Sequence, residues 1–136
     1  MTNAEAETLS VVVERELPFP PEKIWRALTQ PHLIEEWLMK NDFKPEVGHR
    51  FDLRADWGSV DCRVLAVEAS KTLSYTWAAY GLDSVVTWTL TPTPTGTRLR
   101  MEQSGFRPDQ KQAYHGARHG WQQFLASLEQ VLARTA

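Results

Sequence analysis

The sequence predicts an α+β fold in which a curved, six-stranded antiparallel sheet is gripped by a long C-terminal helix. Three observations carry that expectation. Apolar residues in the middle of the chain recur with a period of two, those of the last quarter recur at helical spacing, and two proline-led helical segments follow the first strand. A sheet curved around a helix tends to enclose a cavity, so the inward side chains of the strands become candidates for function.

Residues 9 to 17 are rich in valine and alternate around Glu14 and Glu16, which suits a first strand ended by Pro18, Pro20 and Pro21. Pro21 fits the first position of a helix, where a missing amide costs nothing, and Ile24, Trp25 and Leu28 then share a face. Pro31 interrupts that helix and restarts a second, which groups Leu33 with Trp37 and Ile34 with Leu38. From Gly48 the period becomes two, in five further strands. Their apolar positions are Phe51 and Leu53, then Val60, Cys62 and Val64, then Leu73, Tyr75 and Trp77, then Val86, Trp88 and Leu90, then Leu99 and Met101. Turn signals at Gly58, residues 68 to 71, Gly81 and Pro94-Thr95-Gly96 join them into a meander. Pro108 is expected to open the last helix, which runs to about Arg134 with Trp121, Phe124, Leu125, Leu128 and Leu132 as its apolar stripe. Gly116 and Gly120 each cost a helix interior about 1 kcal/mol relative to alanine, which is explained if a Cβ would obstruct close packing or if the helix bends.

A chain of 136 residues is expected to form one domain, residues 1 to 136. Its 15 Lys and Arg against 17 Asp and Glu leave a formal charge of −2 without long blocks of either sign, which disfavours capture of nucleic acid or anionic membrane. The start of the chain lacks a cationic, then apolar, secretion signal, and no apolar run approaches the ~20 residues needed to cross a bilayer. A cytoplasmic location is the expectation. Cys62 is the single cysteine, so no internal disulfide forms, and its place in a half-buried strand reads as a small apolar residue.

If the strand parity holds, Phe51, Leu53, Cys62, Tyr75, Trp77 and Met101 face the long helix, and Gln103, two residues beyond Met101, faces it with them. An inward amide left unpaired costs roughly 1–3 kcal/mol, so Gln103 must bond a neighbour, a water or a ligand atom. Six tryptophans are many for this length. Trp25, Trp88 and Trp121 occupy helix–sheet packing positions and read as core, whereas Trp37 on the helical flap, Trp57 beside a turn, and Trp77 are better ligand contacts. Tyr114 and Arg118, four apart, share a helix face that either is solvated or orients a carboxylate or carbonyl at the cavity mouth. His115 and His119 have the spacing of two helical metal ligands but no recognisable third, and no nucleophile elbow surrounds Ser104. Neither a metal, a cofactor nor a catalytic residue is therefore assigned.

Arg15 and Leu17, the run Pro20 to Thr29, Pro31-His32-Leu33 leading to Trp37, Gly48 with Phe51, the Leu73, Tyr75 and Trp77 alternation, Gly96-Thr97 with Leu99, Gln103 to Phe106, and Gly120-Trp121 form a series. In order and spacing it resembles the bacterial proteins named after the activator of the ninety-kilodalton heat-shock protein's ATPase, in the START-like (SRPBCC) superfamily. The resemblance spans nearly the whole chain. It implies the helix-grip fold and a pocket between sheet and C-terminal helix for a small hydrophobic or amphipathic molecule, held without catalysis. The superfamily also contains cyclase- and hydratase-type enzymes, in which Gln103, Tyr114 and Arg118 would polarise a carbonyl, and the family name itself implies a protein-interaction module. Relatives often carry two aromatic residues where this chain has Trp37-Leu38, so the pocket wall is expected to differ there. Chaperone binding is not expected, because the eukaryotic co-chaperone uses an additional N-terminal domain that has no counterpart here. A homodimer is implied by the habit of related proteins.

Overall fold

The computed structural model describes residues 8–135. Strand β1 (Leu9–Leu17) leads into helices α1 (Pro21–Thr29) and α2 (Pro31–Trp37). A short β2 (Lys40–Asn41) precedes β3 (Arg50–Ala55), β4 (Gly58–Glu68), β5 (Thr72–Ala79), β6 (Leu82–Thr93) and β7 (Gly96–Phe106). Helix α3 (Lys111–Arg134) closes the order. All strand pairs are antiparallel, in the order β1-β7-β6-β5-β4-β3-β2. The first strand thus returns to pair with the last, Val13 opposite Met101 and Leu17 opposite Thr97. The sheet has seven strands rather than six. The seventh, two residues pairing Lys40 with Arg54 and Asn41 with Leu53, is too short to display an alternation of its own.

Strand parity has the expected result. Phe51, Leu53, Val60, Cys62, Val64, Leu73, Tyr75, Trp77, Val86, Trp88, Leu90, Leu99, Met101 and Gln103 are all buried on one face. A register shift between Val64 and Ala66 inserts an extra residue opposite β5, the local irregularity by which an antiparallel strand bends and twists. Against the concave face lie Ile24 and Leu28 of α1, Ile34 and Trp37 of α2, and Trp121, Leu125, Leu128, Val131 and Leu132 of α3. Trp25, expected in the core, is only half-buried at its edge.

Helix α3 begins three residues later than Pro108. Gln110 is its N-cap, and the turn before it is fixed by the Gln110 amide donating to the Arg107 carbonyl (2.9 Å) and the Arg107 amide to Gln110 Oε1 (2.9 Å). Burial along α3 is one-sided in length as well as in face. The buried residues run from Trp121 onward, whereas Lys111, Gln112, Ala113, His115 and Gly116 are exposed. The C-terminal half grips the sheet, and the N-terminal half overhangs it.

Candidate functional site

Under that overhang lies a pocket of about 830 Å³, partly open to solvent. Its sheet side is made by Trp77 and Ala79 of β5, Leu82 of β6 and Gln103 of β7, and its helix side by Ala113, Gly116, Ala117, Gly120, Trp121 and Phe124. Trp57 and Tyr80, at the tips of the β3–β4 and β5–β6 turns, stand at its rim. Trp77 and Trp121 form one aromatic wall, centroids 5.2 Å apart, and Phe124 continues it at 5.5 Å from Trp121.

The small residues on α3 explain the space. Positions 113, 116, 117 and 120 recur at three and four, so they share a face, and a Cβ built at Gly116 or Gly120 meets nothing within 4 Å. Close packing is therefore not why these glycines are here: they border empty volume.

Gln103 is 2% exposed and forms the centre of a hydrogen-bond chain. The Trp121 indole donates to its Oε1 (2.6 Å), its Nε2 donates to Ser84 Oγ (2.9 Å), and Ser84 donates to the Trp77 carbonyl (2.8 Å). The chain ties the Trp121 indole, through Gln103 of β7 and Ser84 of β6, to the backbone of Trp77 in β5. At the rim, the Tyr80 hydroxyl donates to the Trp57 carbonyl (2.7 Å), tying two hairpin tips together. Tyr80 and Gly81 both have positive φ, 51° and 81°, as a two-residue turn of twist matched to the sheet requires. For a tyrosine that conformation costs on the order of 1–3 kcal/mol. Gly58, at a positive φ of 143°, suits the turn beneath it, and its lack of a Cβ leaves room for the Tyr80 hydroxyl.

The structure sorts the residues singled out from the sequence. Trp57, Trp77 and Gln103 line the cavity. Leu53, Tyr75 and Met101 are core. Trp37 is core as well: its indole donates to the Ala27 carbonyl (2.8 Å) and meets Trp88 edge-on at 5.7 Å. Phe51 and Cys62 are buried and border a different, polar hollow with Asp42, Asp52 and Asp61. Tyr114 packs edge-on against Phe106 at 5.7 Å, and exposed Arg118 lies over the Tyr114 ring at 5.9 Å, so this pair flanks the cavity without lining it. Trp121, Phe124, Tyr80 and the two glycines line it without belonging to the contacts that strand parity predicts. The small residues at 113, 116, 117 and 120 beside Trp121 were the signal for most of them. No group of three His, Cys, Asp or Glu able to hold a metal occurs among the described residues, His115 and His119 included.

Residues 18–133 match the family model described as Activator of Hsp90 ATPase homolog 1-like protein. The chain belongs to this family. No curated protein matches it. Among solved structures, protein MLL2253 of Mesorhizobium loti is 70% identical, with a TM-score of 0.91 over 94% of this chain and 99% of that one. Protein BH1534 of Bacillus halodurans is 27% identical (TM-score 0.82, covering 91% and 96%). CalU16 of Micromonospora echinospora, 23% identical (TM-score 0.82, covering 98% and 81%), shares the fold. The helix-grip architecture of this chain is thus shared with these structures. Among the described residues no helix is long and apolar enough to cross a membrane.

Two buried titratable groups of this family member lie outside the cavity. Burial pushes the Cys62 thiol up, with Asp52 adding to the effect, and burial likewise raises the Tyr75 phenol although the Trp88 indole that donates to it (3.0 Å) opposes the shift. Both stay protonated in the fold when the unfolded chain already ionises near the ordinary values of 9.0 and 10.0. Their contribution to stability is therefore complete below those values and is lost as pH rises beyond them. The urea midpoint should be level up to about pH 8.5 and fall from about pH 9 upward, and Cys62→Ala should flatten the first part of the fall.

Proposed function

We propose that this protein binds a small hydrophobic or amphipathic molecule in the cavity between the sheet and the N-terminal half of α3. The observation that carries this reading is the cavity itself, about 830 Å³ between aromatic walls and a helix face of glycine and alanine. Small-molecule pockets have this size and make-up, chiefly apolar lining with a few placed polar groups. A binding rather than a catalytic role is supported by the wall's chemistry. Its buried polar side chain is the amide of Gln103, which does not titrate, and the shifted groups Cys62 and Tyr75 are not in the lining.

The test is a ¹⁵N spectrum of the indole N–H groups during titration with two- and three-ring aromatic compounds, alongside native mass spectrometry. The signals of Trp57, Trp77 and Trp121 should move together, that of Trp25 should stay in place, and an equimolar adduct should appear. Movement confined to other tryptophans, or no adduct at millimolar ligand, rejects the reading.

A further inference from the structure

We infer that the ligand's buried end is uncharged and carries a hydrogen-bond acceptor oxygen, which takes the free N–H of Gln103. The inference rests on the binding reading above and narrows it to one ligand chemistry.

The argument starts from the indole of Trp121, a group that can only donate. Its 2.6 Å contact is therefore with the amide oxygen, which fixes which end of the Gln103 amide is nitrogen. One N–H of that nitrogen is spent on Ser84 Oγ, at 2.9 Å. Ser84 cannot reverse this bond, because its own proton goes to the Trp77 carbonyl at 2.8 Å. The second N–H of Gln103 has no acceptor among the described residues, although the residue is 2% exposed and lies in the cavity wall. The amide oxygen already has a donor, and an oxygen with one of two lone pairs used is a common, tolerated state. A buried N–H without an acceptor is rare and costly. The wall thus offers one donor with no acceptor among the described protein groups.

Charge on the buried end is disfavoured by the rest of the lining. The charged side chains bordering the cavity are Asp109, just before α3, and Lys111, the first residue of α3, both exposed. Arg118, which could have met a carboxylate, lies over Tyr114 outside the lining. A carboxylate or ammonium carried to Gln103 would leave water for a wall whose buried side chains are uncharged, which is costly in an apolar surrounding. An uncharged carbonyl or ether oxygen loses far less hydration and gains the amide proton. Tryptophan and phenylalanine side chains on one wall, with glycine and alanine opposite, favour rings behind that oxygen.

The test uses the intact protein and three probes on one frame: 2-acetylnaphthalene, 2-isopropylnaphthalene and 2-naphthoate. The ketone should bind about tenfold tighter than the isopropyl isostere, the worth of one hydrogen bond. The carboxylate should bind at least roughly tenfold more weakly than the ketone. Gln103→Leu should remove the preference for the ketone while keeping the isopropyl compound. Because Gln103 holds the Trp121 indole and Ser84 and this variant could unfold, the comparison on the unaltered protein is decisive by itself. Equal binding of ketone and isopropyl compound, or tighter binding of the carboxylate, overturns the inference and leaves the binding reading standing. If no naphthalene binds, the binding reading fails and this inference with it.

Discussion

Trp88→Ala is expected to lower the unfolding free energy by roughly 3–5 kcal/mol, the range for removing a large aromatic from a core. Trp88 is fully buried on the concave face of the sheet, between α2 and α3. Its ring meets Trp37 of α2 and Trp121 of α3, each edge-on at 5.7 Å, and its indole N–H donates to the Tyr75 hydroxyl at 3.0 Å. Truncation leaves a void, removes two aromatic contacts and strips the buried phenol of its partner. For a domain of this size that is a large part of the total stability. Urea unfolding followed by circular dichroism measures it, with Trp25→Ala as the comparison. That tryptophan is half-buried at the edge, so its loss should cost clearly less. Equal losses for the two variants would contradict the central place of Trp88 and the edge place of Trp25.

The same ring shows why the architecture was readable from the sequence and the site only in part. Trp88 lies in a run where every second residue is apolar, and a period of two has one consequence, a shared face. Packing therefore followed from local order along the chain. The cavity does not follow from such order, because it depends on how far one element stands from another. Phe51, Leu53, Tyr75, Met101 and Gln103 share a face, yet only Gln103 of these reaches the space beneath the overhang. The difference is position across and along the sheet. Trp77 and Gln103 lie toward the end where α3 begins, while Leu53, Tyr75 and Met101 are covered by the core. Trp37 was misplaced in the same way: a helical flap can line a pocket or cap a core, and its bond to the Ala27 carbonyl makes it a cap. Strand β2 escaped notice because two residues contain no period.

Gly116 and Gly120 offer the sharpest separation of stability from binding. Glycine is the poorest helix former after proline, and alanine gains about 1 kcal/mol over it at a helix interior. In a helix whose packing began at these points, such glycines would be relieving a clash, and any side chain would destabilise the fold. Here a Cβ at either position meets only open space. Gly120→Ala should therefore be neutral or stabilising, by up to about 1 kcal/mol, with binding of a naphthalene probe little changed. The double variant Gly116→Leu/Gly120→Leu should retain the wild-type urea midpoint or exceed it. The two isobutyl groups would project into the cavity opposite Trp77, and a ligand forced to overpack it loses roughly 1–3 kcal/mol, which is about 5- to 150-fold in affinity. Isothermal titration and urea unfolding on the same preparations read both quantities. A stable double variant that binds as tightly as the parent would place the ligand elsewhere, whereas one that loses binding while keeping its midpoint would show that these glycines are present for the guest rather than for the helix.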